Sequence, residues 1–133
     1  MELYTSYWQN YDLDGLEMVP VGISRGVPRG KKAKQLPYRY KRLPALFPSS
    51  DLLKRWIARE ISPDEYTAVY RGYLDSLGLE EVTAQLKKKS AENEGKPLVL
   101  LCFCVPGEFC HRRVWADWYL EKTGQVVPEL PTT

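Results

Sequence analysis

Residues 98–113, Leu-Val-Leu-Leu-Cys-Phe-Cys-Val-Pro-Gly-Glu-Phe-Cys-His-Arg-Arg, decide how this chain folds. The apolar run that starts at Leu98 is too short for a full helix and is typical of a buried strand. Val105-Pro106-Gly107 is a turn signal. From about Cys110 apolar residues recur at helical spacing, and Gly124 stands where a left-handed cap would end the helix. All three cysteines and the only histidine of the chain fall within this strand, turn and helix start.

Size and composition predict one soluble domain, spanning residues 1–133. A chain of 133 residues with an apolar share of 44% is long enough for one core and too short for two ordinary domains. The net charge of +2 is too small for a chain that coats nucleic acid through overall charge. The polar start lacks a signal-peptide pattern, and no apolar run approaches the roughly 20 residues that span a bilayer. We therefore expect a cytoplasmic protein with reduced thiols and no membrane partner.

The elements before the central strand predict an α/β fold. Glu2–Trp8 and Met18–Ser24 are predicted strands, the second with Pro20 at its entry or on an edge. Three helices are predicted between residues 50 and 92, and Ser62-Pro63-Asp64-Glu65 is a capping box at the start of one of them. A last short strand is predicted at Gln125–Pro128. Strands separated by helices imply a single layered domain with a small, mainly parallel sheet flanked by helices.

Ligands of parallel sheets bind beyond the carboxyl ends of the strands, and polar groups gather there in this sequence. A cysteine in a buried strand is either a small hydrophobe or part of a site, so both interpretations stay open for Cys102. The predicted ligand-binding residues are Thr5, Ser6, Ser24, Arg25, Cys102, Cys104 and Arg112.

Cys110 is the candidate nucleophile, because it lies at the amino end of the last predicted helix. Unpaired backbone N–H groups and the helix dipole stabilise an anion there. His111 would serve as its base or proton donor. The same helix end would alternatively hold a phosphate between Arg25 and Arg112. Glu108 is either a helix-start charge or a general base, so the predicted catalytic residues are Cys110, His111 and Glu108.

A metal site is an alternative that the spacing does not favour. Cys102, Cys104, Cys110 and His111 are the ligand types of a zinc site with three thiolates and one imidazole. The Cys-x-Cys pair on the strand points both thiols to one face, and no second pair completes the shell. The sequence identifies no cofactor, and we do not expect a metal.

The segment from Arg25 to Arg42 carries the one strong local charge of the chain. It contains no acidic residue and has Tyr38 and Tyr40 between its cations. Such a segment either contacts phosphates while its rings stack on bases, or is a solvated and mobile loop, here at about residues 25–45. The candidate nucleic-acid residues are Arg29, Lys31, Lys32, Lys34 and Arg39.

Several fragments together resemble a family of small bacterial, archaeal and phage proteins known as domain of unknown function 488. The resemblance covers nearly the whole chain and implies a compact α/β domain. That family commonly has a glutamate where this chain has Cys104, so a role of that carboxylate would here be lost or pass to Glu108. The fragments are Leu3-Tyr4-Thr5-Ser6-Tyr7, Ile23-Ser24-Arg25-Gly26-Val27-Pro28, Leu100-Leu101-Cys102-Phe103, Pro106-Gly107 and Cys110-His111-Arg112.

These observations lead to one main functional hypothesis and two alternatives. The main one is a small enzyme that acts on an anionic, phosphate-bearing ligand, such as a nucleotide or a nucleic-acid component, at the Cys-His-Arg site. The first alternative is a non-catalytic module that binds nucleic acid through residues 25–42. The second is a zinc or iron protein that uses the cysteine cluster. The sequence does not indicate an oligomeric state.

Overall fold

The core of the fold is a sheet of four parallel strands. The computed structural model describes residues 1–105 and 107–130, so Pro106 of the predicted turn lies outside the described residues. The strands are β1 (Leu3–Tyr7), β2 (Val19–Gly22), β3 (Lys41–Arg42) and β4 (Leu98–Cys102). Their order is β1-β4-β2-β3, and every pair is parallel. The predicted α/β fold with a small parallel sheet is confirmed.

In the part of the chain that the structure describes, five α-helices connect and cover the strands. The capping box at Ser62 is present, with its hydroxyl and the Glu65 carboxylate each accepting a backbone hydrogen bond. Gly124 has the left-handed conformation that was predicted to end the last helix. The helices are α1 (Lys31–Gln35), α2 (Ser50–Ile57), α3 (Pro63–Leu77), α4 (Leu79–Ala91) and α5 (His111–Thr123).

β4 is buried on both faces because its side chains alternate between two apolar clusters. Leu98 and Leu100 belong to the larger cluster, which also contains buried residues of α2, α3, α4 and α5. Val99 and Leu101 face the opposite side, where they pack with Trp8 and with half-buried residues that precede β3. The helical layer therefore covers one face, and the segment between β2 and β3 covers the other.

Two sequence predictions differ from the structure. The segment predicted as a loop at about residues 25–45 contains α1 and β3, since Leu36 and Tyr38 anchor it against the smaller cluster. At Gln125–Pro128 no strand forms. Instead Glu129 makes an isolated bridge to Thr5, with hydrogen bonds on either side of it.

Pro20 is accommodated inside an internal strand. β3 pairs only with Val21 and Gly22, so Pro20 lies beyond the end of that short ladder and its missing N–H breaks no bond to β3. Among the described residues, no helix has the length and apolar character that crossing a membrane requires.

Candidate functional site

A cavity of about 260 Å³ opens at the carboxyl edge of the sheet, and we call it the edge cavity. It lies where the ends of β2 and β4 meet the start of α5, which is the position expected for a ligand in a parallel sheet. Six of the predicted site residues line it: Ser24, Arg25, Cys102, Cys104, Cys110 and His111.

The fold brings the reactive side chains together from a strand end and a helix start. Cys102 is the last residue of β4, and Cys110 is the N-cap of α5. Both are buried, with 1% and 4% of their surfaces exposed, so the predicted helix start is less open than a surface turn. His111 follows as the first helical residue and is 7% exposed. The helix therefore starts inside the protein, at the floor of the edge cavity.

The His111 ring is fixed by the backbone that follows β2. Its Nε2 lies 2.8 Å from the carbonyl oxygen of Ile23, and since a carbonyl only accepts, Nε2 carries the proton and donates. The pKa of His111 is lowered to about 4, chiefly by burial and to a smaller extent by the Arg112 charge, while the bond to Ile23 opposes both effects. The neutral ring then has an unprotonated Nδ1, which lies 4.0 Å from the Cys110 sulfur.

Cys102 and Cys110 are joined by a disulfide, which corrects the expectation that all the thiols are reduced. The disulfide joins the last residue of β4 to the N-cap of α5, eight positions later in the chain. Cys104 is the free cysteine, and burial raises the pKa of its thiol despite the opposing charge of Arg112.

Arg112 is placed below the cavity rather than in it. Its guanidinium is 1% exposed and pairs with Glu129, with Nη2 2.7 Å from Oε2. The same group donates to the Cys104 carbonyl at 2.6 Å and to the Cys102 sulfur at 2.9 Å. Arg112 therefore holds the end of β4 against the chain after α5, and the structure does not bring it to the edge cavity.

Thr5 and Ser6 are also buried away from the cavity. The Thr5 hydroxyl donates to Glu129 at 2.6 Å and accepts from Arg113 at 2.8 Å. The Ser6 hydroxyl accepts from the Asn10 side chain at 2.9 Å. Both predicted ligand residues thus have protein partners within the carboxyl edge of the sheet.

Ser24 and Arg25 stand at the mouth of the edge cavity. The Ser24 hydroxyl accepts from Trp8 Nε1 at 2.9 Å and donates to the carbonyl of Gly26 at 2.6 Å. Arg25 is exposed, and its Nε donates to the Pro48 carbonyl at 3.1 Å. This bond tethers the guanidinium beside the cavity, where it is available to an anion.

Glu108 is separated from His111, although it shares a cavity with Cys110. It lines a second cavity, of about 200 Å³, on the side of α5 that faces Arg71 and Arg113. Cys110 lines both cavities, but His111 lines only the edge cavity. The geometry does not bring Glu108 and His111 to the same side of the helix start.

Sequence reasoning missed the aromatic wall of the edge cavity. Trp56, Tyr66 and Phe109 contact one another with ring centroids 5.1 to 5.4 Å apart. They come from α2, α3 and the turn before α5, and their helical spacing indicated only ordinary packing. Phe109, directly before Cys110, was the one local signal that an aromatic group would reach the site.

The candidate nucleic-acid residues divide into two places. Arg29 and the three lysines of α1 are exposed, and α1 has no buried residue. Arg39 lies elsewhere, in a depression of about 330 Å³ that it shares with Glu92 and Glu94. The cationic segment therefore presents one positive cluster at Arg29, Lys31, Lys32 and Lys34, without Arg39.

Residues 3–123 match a family model described as DUF488-N3a, active DUF488-N3 subclade. No curated protein matches the chain, and no solved structure does.

Proposed function

Since the chain belongs to the DUF488 family, whose model covers almost all of it, we propose that it is a small cytoplasmic enzyme acting on an anionic, phosphate-bearing ligand. The ligand class is a nucleotide or a nucleic-acid component. It would bind in the edge cavity, with the reaction at the Cys110 and His111 end. A reducing compartment would keep the Cys102–Cys110 pair as thiols, which frees the Cys110 sulfur.

The observation that carries this proposal is the composition of the edge cavity. Its wall is the aromatic group Trp56, Tyr66 and Phe109, its mouth has the Arg25 guanidinium, and its floor has Cys110 and His111. Aromatic faces stack on bases of any sequence, and a guanidinium binds phosphate through paired hydrogen bonds. A base against the wall and a phosphate at the mouth would use both features at once.

A binding experiment tests the ligand class. We expect a nucleoside monophosphate to bind the reduced protein about 10- to 100-fold more tightly than the same nucleoside, since a hydrogen bond to a charged group contributes roughly 1.5–3 kcal/mol. Arg25→Ala should remove most of that difference. Arg29→Ala is the matched control, because Arg29 is exposed and is not among the cavity-lining residues. Equal affinity for the two ligands, or no binding of either, would contradict the proposal.

A second experiment separates an enzyme from a binding protein. The reduced protein is incubated with nucleotides and short oligonucleotides, and products are followed by mass spectrometry. Turnover that Cys110→Ser abolishes and Cys104→Ser leaves intact supports catalysis at the floor of the cavity. Binding without any product would restrict the proposal to a ligand-binding protein.

The exposed cluster on α1 favours a second candidate, a nucleic-acid-binding module. Its three lysines lie on one short helix with no acidic residue between Arg25 and Arg42. Phosphate contacts from such a helix give affinity without sequence selectivity. An affinity for nucleic acid that falls steeply as the salt concentration rises would support this candidate.

A further inference from the structure

Three buried donor atoms meet at the floor of the edge cavity. The sulfurs of Cys102 and Cys110 and a ring nitrogen of His111 all lie within 4.8 Å of one another. Two thiolates and an imidazole are ligands that zinc prefers. Each of the three side chains lines the edge cavity, so the cluster is buried but has an opening on one side.

The ring of His111 has the orientation of a metal ligand. Metal-binding histidines almost always donate their second ring N–H to a carboxylate, a carbonyl or water, which fixes the tautomer. Here Nε2 donates to the Ile23 carbonyl at 2.8 Å. Nδ1 is left unprotonated, is directed toward the Cys110 sulfur at 4.0 Å, and has no stronger partner among the described residues.

Arg112 provides the environment that a buried thiolate requires. Its Nη1 lies 2.9 Å from the Cys102 sulfur, and the guanidinium is 1% exposed. A thiolate accepts a charged N–H far more strongly than a disulfide sulfur does. The pair Arg112–Glu129 keeps this donor in place and balances its charge.

The backbone spacing of the two cysteines also suits a bridging ion. Their Cα atoms are 7.4 Å apart, beyond the roughly 4.4–6.8 Å that disulfides usually span. Two sulfur ligands of a tetrahedral zinc, each about 2.3 Å from the metal, are about 3.8 Å from each other. A separation of that size needs a wider backbone than a direct S–S bond does.

We infer that the reduced chain binds a zinc ion through the sulfurs of Cys102 and Cys110 and through Nδ1 of His111. Reduction by a thiol converts the disulfide to two thiols and releases the oxidised reductant as its own disulfide. Zinc binding then releases two protons, one from each cysteine. Oxidation of the two thiolates by a disulfide reagent re-forms the Cys102–Cys110 bond, reduces the reagent to two thiols that take up two protons, and releases the zinc ion.

The inference goes beyond the proposed function, because metal binding does not depend on which ligand enters the cavity. Three protein ligands leave a fourth position for water or a ligand atom, as in catalytic rather than structural zinc sites. That position would face the edge cavity. The ligand set weighed from the sequence was Cys102, Cys104, Cys110 and His111, and the structure brings all of these together except Cys104.

Metal content and a cobalt spectrum test the inference on the full chain. The protein is reduced, loaded with zinc or cobalt, and freed of excess ion. We expect about one equivalent of bound metal, and for cobalt a thiolate charge-transfer band together with the visible absorption of a tetrahedral ion. Cys102→Ser, Cys110→Ser and His111→Gln should each weaken or abolish binding. Cys104→Ser is the matched control and should bind normally.

The wild-type protein in its disulfide form is a second control that needs no substitution, since it keeps the fold and should bind no metal. Less than about a tenth of an equivalent in the reduced wild type would overturn the inference. So would an octahedral cobalt spectrum, or metal retained by the oxidised protein or by all three ligand variants. The experiment with Arg25→Ala measures nucleotide binding, whereas this one measures metal binding. Either proposal can therefore fail while the other stands.

Discussion

Arg112 and Glu129 form an ion pair across the carboxyl edge of the sheet, with Nη2 2.7 Å from Oε2 and the arginine 1% exposed. The pair connects the first turn of α5 to the segment that follows the same helix. Through its other donors Arg112 also holds the Cys104 carbonyl and the Cys102 sulfur. The geometry of the site at the end of β4 therefore depends on a carboxylate 27 positions later in the chain.

Removing the carboxylate should destabilise the protein. Glu129→Ala leaves a buried guanidinium without its counter-ion, and breaking a buried pair costs roughly 3–5 kcal/mol. Because the Glu129 side chain is 24% exposed, we expect about 2–3 kcal/mol in the free energy of unfolding, measured in urea. The control is Glu121→Ala, which breaks the exposed pair with Arg71 and should cost about 1 kcal/mol or less. Equal losses would show that Glu129 contributes no more than a surface charge.

The same carboxylate predicts a pH dependence. Burial alone would raise the pKa of Glu129, but hydrogen bonds from Arg112 and Thr5 and the charges of Arg112 and Arg113 lower it below its ordinary 4.5. The folded-state pKa is thus below the unfolded-state one, so the carboxylate stabilises the fold above pH 4.5 and this contribution is lost as the pH falls through the folded value.

Urea unfolding of wild type and Glu129→Gln from pH 7 to pH 3 measures this effect. The difference in unfolding free energy should stay constant from pH 7 to about pH 5 and shrink in more acidic solution. A difference that does not change with pH would mean that the pKa of Glu129 is the same in both states.

Much of the fold was predictable because its signals are local. The apolar run at Leu98, the capping box at Ser62 and the glycine at Gly124 each specify one element without help from distant residues. The parallel arrangement followed from the alternation of strands and helices. The carboxyl-edge rule then correctly brought Ser24 and Arg25 to the same place as Cys110.

The features that the sequence did not reveal are contacts between distant residues. Thr5 and Arg112 were predicted to bind a ligand, and in the structure both contact Glu129, a partner that nothing near Glu129 in the sequence indicates. The disulfide was missed because it depends on how closely the start of α5 lies to the end of β4. The aromatic wall was missed because Trp56 and Tyr66 reach the cavity from helices whose packing the sequence leaves open.

Gly22 should be intolerant of any side chain. A Cβ at this position would lie 2.6 Å from Trp8 Cζ2, and Trp8 is fully buried. We expect Gly22→Ala to cost about 1–3 kcal/mol of stability through overpacking. The substitution should also displace Trp8 Nε1 from the Ser24 hydroxyl to which it donates. Because Ser24 lines the edge cavity, we expect weaker ligand binding there. Gly72→Ala is the control: open space surrounds that helical position, so alanine should stabilise by up to about 1 kcal/mol.

The lysines of α1 should give the protein a salt-dependent affinity for single-stranded nucleic acid. Each phosphate contact adds roughly 0.7 to the slope of log affinity against log salt, so the double variant Lys31→Glu with Lys32→Glu should lower that slope by about 1.4. The matched control is Lys87→Glu with Lys88→Glu, which makes the same change in net charge on the exposed side of α4. Titration of a fluorescent oligonucleotide between low and physiological salt measures the affinity and its salt slope for both double variants.

If the two double variants lose affinity equally, net charge alone attracts the strand and α1 is not the binding surface. A loss confined to the α1 variant would identify α1, and persistence of nucleoside monophosphate binding in that variant would show that the edge cavity works separately from it.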